Sequence, residues 1–235
     1  WRRLFDDVKA YQMRRAAYES GSTREFATSQ ANLEALIPVV AGQMPLILDV
    51  DRASDILAAL DFAKAYGIKL WLASVSEGWM VAKEIAAAKV PVMVGAMNDI
   101  PTDFASLGQR RENAALLKAA GVTVVIVGTG TSGAESFNVR NIRQEAGNAV
   151  AYGMSWEDAL RAVTLTPAEV MGVAGSVGSL QAGRDANVVV WSGDPFEFST
   201  VAEQVFIKGR TFEVKSRQQM LTERYLTLPP SYRRP

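Results

Sequence analysis

Four apolar runs separated by helical stretches constrain this chain more than any other feature. They fall at 45–48, 68–73, 90–94 and 122–127, are rich in Val, Ile and Leu, and are too short to be buried helices. Helical patterns follow at 56–67, 77–89, 107–121 and 138–151, two of them closed by Gly67 and Gly121. Asp51 or Ser54 is the expected cap of the first. Strands apolar throughout read as buried on both faces, and strand–helix alternation builds a parallel sheet with right-handed crossovers. Four such units make half of an eight-unit barrel, or alternatively an open doubly wound sheet.

The flanks read differently. Residues 1–19 form a helical pattern with Leu4, Val8, Tyr11 and Tyr18 near one face, followed by a polar loop at 19–29 and a second helix over 31–40. The chain opens on Trp1, without Met or an apolar leader, and reads as starting inside a longer fold. From Ser155 two short helices are expected, with Ser155 as N-cap, Asp158 at the capping-box position and Pro167 at the second helix start. Beyond them come short strands and tight turns at Ala182-Gly183, Gly193-Asp194-Pro195 and Lys208-Gly209, then a helix over 215–225.

Composition narrows the chemistry. Among 235 residues, 25 basic and 25 acidic side chains cancel, so no nucleic-acid partner is expected. No run of 18 apolar residues is present, so no membrane span is expected. The chain has no Cys and no His. It therefore carries no thiol nucleophile, no Ser-His-Asp triad and no His-ligated zinc. A metal held by this chain alone would need carboxylates, carbonyls and water, which suits Mg or Ca better than Zn. The absence of Cys leaves the compartment open, cytoplasmic or periplasmic.

Residues Gly128 to Gly133 match the GxGxxG dinucleotide pattern and sit between a strand and a helix. The rest of that unit fails, because another helix follows where a second parallel strand with a terminal acid is needed. A loop at the C-terminal face of a barrel explains the same glycines.

The segment from Ala162 to Glu197 resembles the C-terminal signature of the amidohydrolase superfamily, in Gly178-Ser179-Leu180, Gly183, Asp185-Ala186-Asn187 and Val188-Val189-Val190. Residues 45–95 and 138–169 resemble its imidazolonepropionase-like branch. The resemblance implies an α/β fold: the C-terminal half of an amidohydrolase-type (β/α)8 barrel with part of a composite β-sandwich. The barrel portion, its fifth to eighth units, would take residues 1–172, the sandwich strands 173–215, and a C-terminal helix and tail 216–235.

Active members hold divalent metal such as zinc through His on the first, fifth and sixth strands, often a carboxylated Lys on the fourth, and an Asp on the eighth. By the resemblance, the fifth-strand His position is Asp49, the sixth is Ser74, and the eighth-strand Asp falls at Thr129 or Glu135. Asp49 and Glu135 suit a hard cation, whereas Ser74 is a poor ligand. The family reaction needs a metal to acidify water and a carboxylate to move its proton. The resemblance thus implies no catalytic, cofactor or metal residues in this chain, which leaves Asp49, Ser74, Thr129 and Glu135 as a relic pocket. The expected role is a catalytically inactive subunit or half that supports or gates an active partner. The alternative is a metal-dependent hydrolase of a small C–N bond with a remodelled site.

Each residue also has a plainer account. Asp49 can be a strand-end acid near Arg52, and Ser74 and Ser76 small residues closing a former site. Glu77 and Trp79 begin a helix, where an acid is favoured by the dipole. Arg140, Asn141 and Arg143 fit a solvated face or contacts to the sandwich, and Trp156 and Trp191 fit core or interface. A half-barrel would leave two apolar edges, so its other half is expected as an N-terminal segment or another chain, in a hetero- or homo-oligomer with an amidohydrolase paralogue. Titration with NAD is expected to show no binding; saturable binding would restore the dinucleotide reading.

Overall fold

The structure, a computed structural model, describes residues 1–97, 100–101, 103–128, 139–212 and 215–226. Four strands, β1 (Leu46–Val50), β2 (Leu70–Ser74), β3 (Val92–Val94) and β4 (Val124–Ile126), form a parallel sheet in the order β1-β2-β3-β4. The order never reverses, so the strand reversal of a doubly wound sheet is not seen among the described strands.

Helices fill the connections. After β1 runs α4 (Ala53–Tyr66), stopped by Gly67 at φ +67°. A 3-10 turn (Gly78–Val81) and α5 (Ala82–Ala88) follow β2, and α6 (Asn113–Ala119) precedes β4. Next come α7 (Ile142–Ala151), α8 (Trp156–Val163) and α9 (Leu165–Val170). Ahead of β1 lie α1 (Arg2–Met13), α2 (Arg15–Glu19) and α3 (Gln30–Val40). The expected single N-terminal helix is broken at Arg14, whose φ of −132° lies outside helical backbone.

Alternation along the strands decides which face is covered. Leu46, Leu48, Val50, Leu70, Leu72, Val92, Val94, Val124 and Ile126 belong to or pack against the helix-side core with Ile56, Phe62, Ile85 and Leu117. The opposite face carries Ile47, Asp49, Trp71, Ala73, Met93 and Val125. There Ile47 is 50% exposed, Asp49 is exposed, and Trp71, Ala73 and Met93 are half-buried. This corrects the expectation of strands buried on both faces for β1 to β3, whereas β4 is buried throughout, Val125 included. Two further expectations change as well. The third helix is only Asn113–Ala119. Neither Asp51 nor Ser54 caps α4: the N-cap is Arg52, and the Ala53 N–H donates to Glu77 Oε2 at 2.9 Å.

A second sheet is antiparallel, ordered β5 (Val188–Trp191), β6 (Ala202–Ile207), β7 (Arg210–Thr211), with Lys208-Gly209 at the hairpin. Arg143 of α7 joins it to the helices, lying 4.8 Å over the Trp191 ring and donating to the Thr200 carbonyl at 3.1 Å. Trp156 Nε1 reaches Asp194, and its ring tilts against Phe196. The last helix, α10 (Arg217–Leu226), has no buried residue. Ser155 caps α8 as expected, accepting the Asp158 N–H at 3.1 Å, while α9 begins at Leu165, ahead of Pro167. No described helix is long and apolar enough to cross a membrane.

A buried charge anchors the N-terminal helices. Asp7 is fully buried beside Val8, Tyr11 and Leu33. It pairs with Arg24 and accepts the Ala27 N–H at 2.8 Å, tying α1 to the loop before α3. Burial pushes the Asp7 carboxyl up, but the Arg24 and Ala27 hydrogen bonds and the charges of Arg24 and Arg3 outweigh it and hold the group below the ordinary carboxylate value. A lowered folded pKa means a stabilisation present in full above the ordinary carboxyl pKa and lost as pH falls through the folded one. Asp7→Asn is expected to cost about 1–3 kcal/mol at pH 7, with the gap to wild type closing as the medium is acidified. Urea unfolding at several pH values checks it, and equal stability at neutral pH would remove Asp7 as an anchor.

Candidate functional site

In a parallel β/α sheet, side chains able to converge on a ligand are those at the C-terminal strand ends and in the loops after them. Here that region begins with Asp49 and Val50 of β1, Asp51 just beyond it, Ser74 at the end of β2 and Val75 to Trp79 after it. Asp49 stands on the uncovered face, in register with Ala73, then Met93, then Val125. Ser74 is in register with Val50, whose side chain packs on the helix-side core. The left-handed backbone of Ser74 and Val75 interrupts the strand alternation here, and Val75 is buried in the helix-side core. Thr129 and Glu135, the other two sequence candidates, lie outside the described residues, as does most of the Gly128–Gly133 loop.

The turn after β2 is the most constrained backbone of the region. Ser74 and Val75 have φ of +70° and +49°, left-handed conformations that are rare for side-chain-bearing residues and rarer still for a β-branched one. Such outliers persist only where surrounding contacts over-determine them. Those contacts are present. The Val75 N–H donates to the Val50 carbonyl at 2.9 Å, and the Val75 carbonyl accepts the Gly78 N–H at 2.7 Å. Asp51 Oδ1 accepts both the Ser76 hydroxyl at 2.5 Å and the Ser76 N–H at 3.1 Å, while the Asp51 carbonyl accepts the Glu77 N–H at 2.9 Å. Glu77 returns the tie by capping α4. Trp79 is held by its Nε1 donating to the Gly108 carbonyl at 2.9 Å, with Arg110 over its ring. Glu77 and Trp79 thus hold this rim together.

Two supports were not singled out from the sequence. Asn113 is a buried amide that donates to the Val75 carbonyl and accepts the Trp79 N–H, each at 3.0 Å. Glu145 is a buried acid on α7 whose Oε2 accepts the Ala96 and Met97 N–H groups at 2.6 and 2.7 Å, pinning the chain just after β3. The signal for both was helical spacing. Asn113 lies four residues before Leu117 and Glu145 four before Ala149, both core residues, so each polar side chain occupies a core-facing position.

Among the described residues no group of three or more His, Asp or Glu is placed to hold a metal ion. A groove of about 940 Å³ lies between α4 and α5, bordered by Gly67, Lys69, Lys89 and Pro91, at the end of the sheet opposite Asp49 and Ser74. Among the described strand residues, the uncovered face offers the exposed carboxylate of Asp49 over apolar neighbours, next to a rigid, strained rim that carries Asp51 and Glu77.

A family model described as "Amidohydrolase family" matches residues 9–216. The chain is 36% identical over 72 residues to "Amidohydrolase tasK" of Hapsidospora irregularis, covering 31% of this chain and 7% of that protein. The crystal structure of an amidohydrolase from Thermotoga maritima MSB8 superposes with a TM-score of 0.76 at 29% identity, over 90% of this chain and 54% of that one. An adenosine deaminase from Xanthomonas campestris, solved with bound zinc, superposes at 0.55 and 17% identity, over 84% of this chain and 53% of that one, a likeness of fold alone. The chain thus spans about half the length of these solved structures.

Ser74→Gly is expected to stabilise the protein by up to about 1 kcal/mol, because glycine avoids the left-handed penalty at φ +70° and gives back part of the gain as chain entropy. The midpoint of urea unfolding reads it; a clear loss of stability would show that the Ser74 side chain has a structural task of its own.

Proposed function

Because this chain belongs to the amidohydrolase family, matched over residues 9–216, we propose that it is a catalytically silent half of an amidohydrolase-type (β/α)8 barrel that supports or gates an active partner. In this reading residues 1–172 are the fifth to eighth barrel units, 173–215 contribute to a composite β-sandwich, and 216–235 form a C-terminal helix and tail. The missing half is an N-terminal segment or another chain of the same family. Two features support it: the unreversed strand order, and the exposure of Ile47 with half-buried Trp71 and Met93 on the face away from the helix-side core. A second set of four strands would cover that face and pair with β1 and β4, which among the described residues each have one free edge.

One observation carries the silent role. The family implies a divalent cation, and among the described residues those at the strand ends do not fit one. Asp49 stands in a row with Ala73, Met93 and Val125, none of which offers an oxygen or nitrogen side-chain ligand, and Ser74 offers only an alcohol. A lone exposed carboxylate pays no desolvation cost that a cation would repay, and an alcohol next to a core valine is a weak donor. No step of a metal-assisted hydrolysis is therefore assigned to this chain.

The strained Ser74–Val75 turn favours a second reading, since strain of this kind concentrates at functional sites. The chain would then be part of a hydrolase cleaving a C–N bond of a small substrate in a remodelled pocket, with Asp49 as the acid that this half contributes.

Elemental analysis of the purified protein, with and without Asp49→Ala, separates the two. The silent reading expects no stoichiometric divalent ion that depends on Asp49, and any hydrolysis by the assembled protein to survive the substitution. Loss of one bound ion per chain, or of turnover, on Asp49→Ala would overturn it in favour of the enzyme.

A further inference from the structure

We propose that Asn113 is the positioning residue of the rim at the C-terminal end of the sheet: its carboxamide holds the turn after β2 in the left-handed backbone of Ser74 and Val75. The inference rests on the reading above that the strand tips are the functional face, and it names the group that sets their shape.

The geometry is specific to an amide. Asn113 Nδ2 donates to the Val75 carbonyl at 3.0 Å and Oδ1 accepts the Trp79 N–H at 3.0 Å, so one planar group bridges the two sides of the turn. The bridge needs a donor at one end and an acceptor at the other, which a carboxamide supplies and an ionised carboxylate of the same shape does not. Val75 cannot relax outward, because its side chain is fully buried in the core. Nor can Gly78 take a side chain freely, since a Cβ there would stand 3.2 Å from Val75 Cβ. Asn113 itself is fixed by α6, whose Leu117 is fully buried one turn later. Removing the Val75–Asn113 bond leaves the Val75 carbonyl with the Gly78 N–H alone and the Trp79 N–H without its acceptor, which loosens the turn at the point where the backbone is least favourable. The position of Ser74 and of the Ser76–Trp79 rim is thereby set from α6, which is not part of that rim.

Asn113→Asp tests this through its pH dependence. The protonated acid can donate to the Val75 carbonyl as the amide does, whereas the carboxylate only accepts. In 15N amide spectra of the protein, the Ser74, Val75 and Trp79 signals of Asn113→Asp should be displaced at pH 8 and return to wild-type positions as the acid is protonated. Those of Asn113→Leu should stay displaced throughout. Asp51, Glu77 and Arg110 face the same turn, so wild type titrated in parallel supplies the baseline. Wild-type positions in both variants at every pH would overturn the proposal, as would a displacement in Asn113→Asp that ignores pH. Should Asn113→Asp fail to fold, the stability losses of Asn113→Ser alone and combined with Ser74→Gly decide. A smaller loss in the glycine background supports the clamp, because glycine needs less holding at positive φ, and strict additivity overturns it. None of these readouts involves catalysis, a metal or a partner, so failure here leaves the silent-half reading standing, and failure of that reading leaves the clamp measurable.

Discussion

One-sided burial of the parallel sheet organises everything else in this protein. Every second side chain from Leu46 to Ile126 enters a core shared with α4, α5 and α6, and burial at roughly 25 cal/mol per Å² of apolar surface makes that face the main source of cohesion. On the other face Val125 of β4 is buried, but Ile47, Trp71 and Met93 keep apolar surface in contact with water. An apolar sheet face rimmed by two free strand edges is a surface that natural proteins cover. The proposed second half-barrel is the form of cover that continues the existing order of strands.

The strand tips inherit their character from this arrangement. A β/α sheet gathers its loops at one end, and here those loops are tied to one another by polar side chains. Asp51 holds Ser76, Glu77 caps α4, Asn113 bridges Val75 and Trp79, and Glu145 holds Ala96 and Met97. Several of these bonds satisfy backbone groups that would otherwise be buried without partners, at the expense of two left-handed residues. The result is a stiff rim beside the apolar strand residues that flank Asp49. Stiffness suits either a scaffold that must present a fixed surface to a partner or a site that must hold a substrate. The identity of the residues, more than their rigidity, argues for the scaffold.

Much of this was legible beforehand, for identifiable reasons. The strands were visible because β-branched runs of four to six residues bounded by helical periods have few other readings. The helix stop at Gly67 and the Ser155 cap followed from local chemistry, and both appear in the structure. Misreadings arose where a distant residue decided a local outcome. Asp51 and Ser54 were the obvious caps for α4, yet Glu77, 24 residues beyond Ala53, takes that role and frees Asp51 to hold Ser76. Of the site candidates, Asp49 and Ser74 lie near the ends of adjacent strands, and Thr129 and Glu135 fall outside the described residues. Asn113 and Glu145 went unnoticed because a polar residue on the buried side of a helix resembles ordinary surface until its partner is known.

The sequence by itself determined the alternation of strand and helix, the family resemblance, and the absence of imidazole and thiol chemistry, because each depends on residue type and spacing along the chain. The tertiary structure alone decided which residues of the sheet are covered, that the Ser74–Val75 turn takes left-handed backbone, and that its carbonyl is met by an amide 38 residues away. These depend on register and on contacts between residues far apart in the chain, where a shift of one position exchanges the two faces of a strand, and local composition carries no record of such pairings.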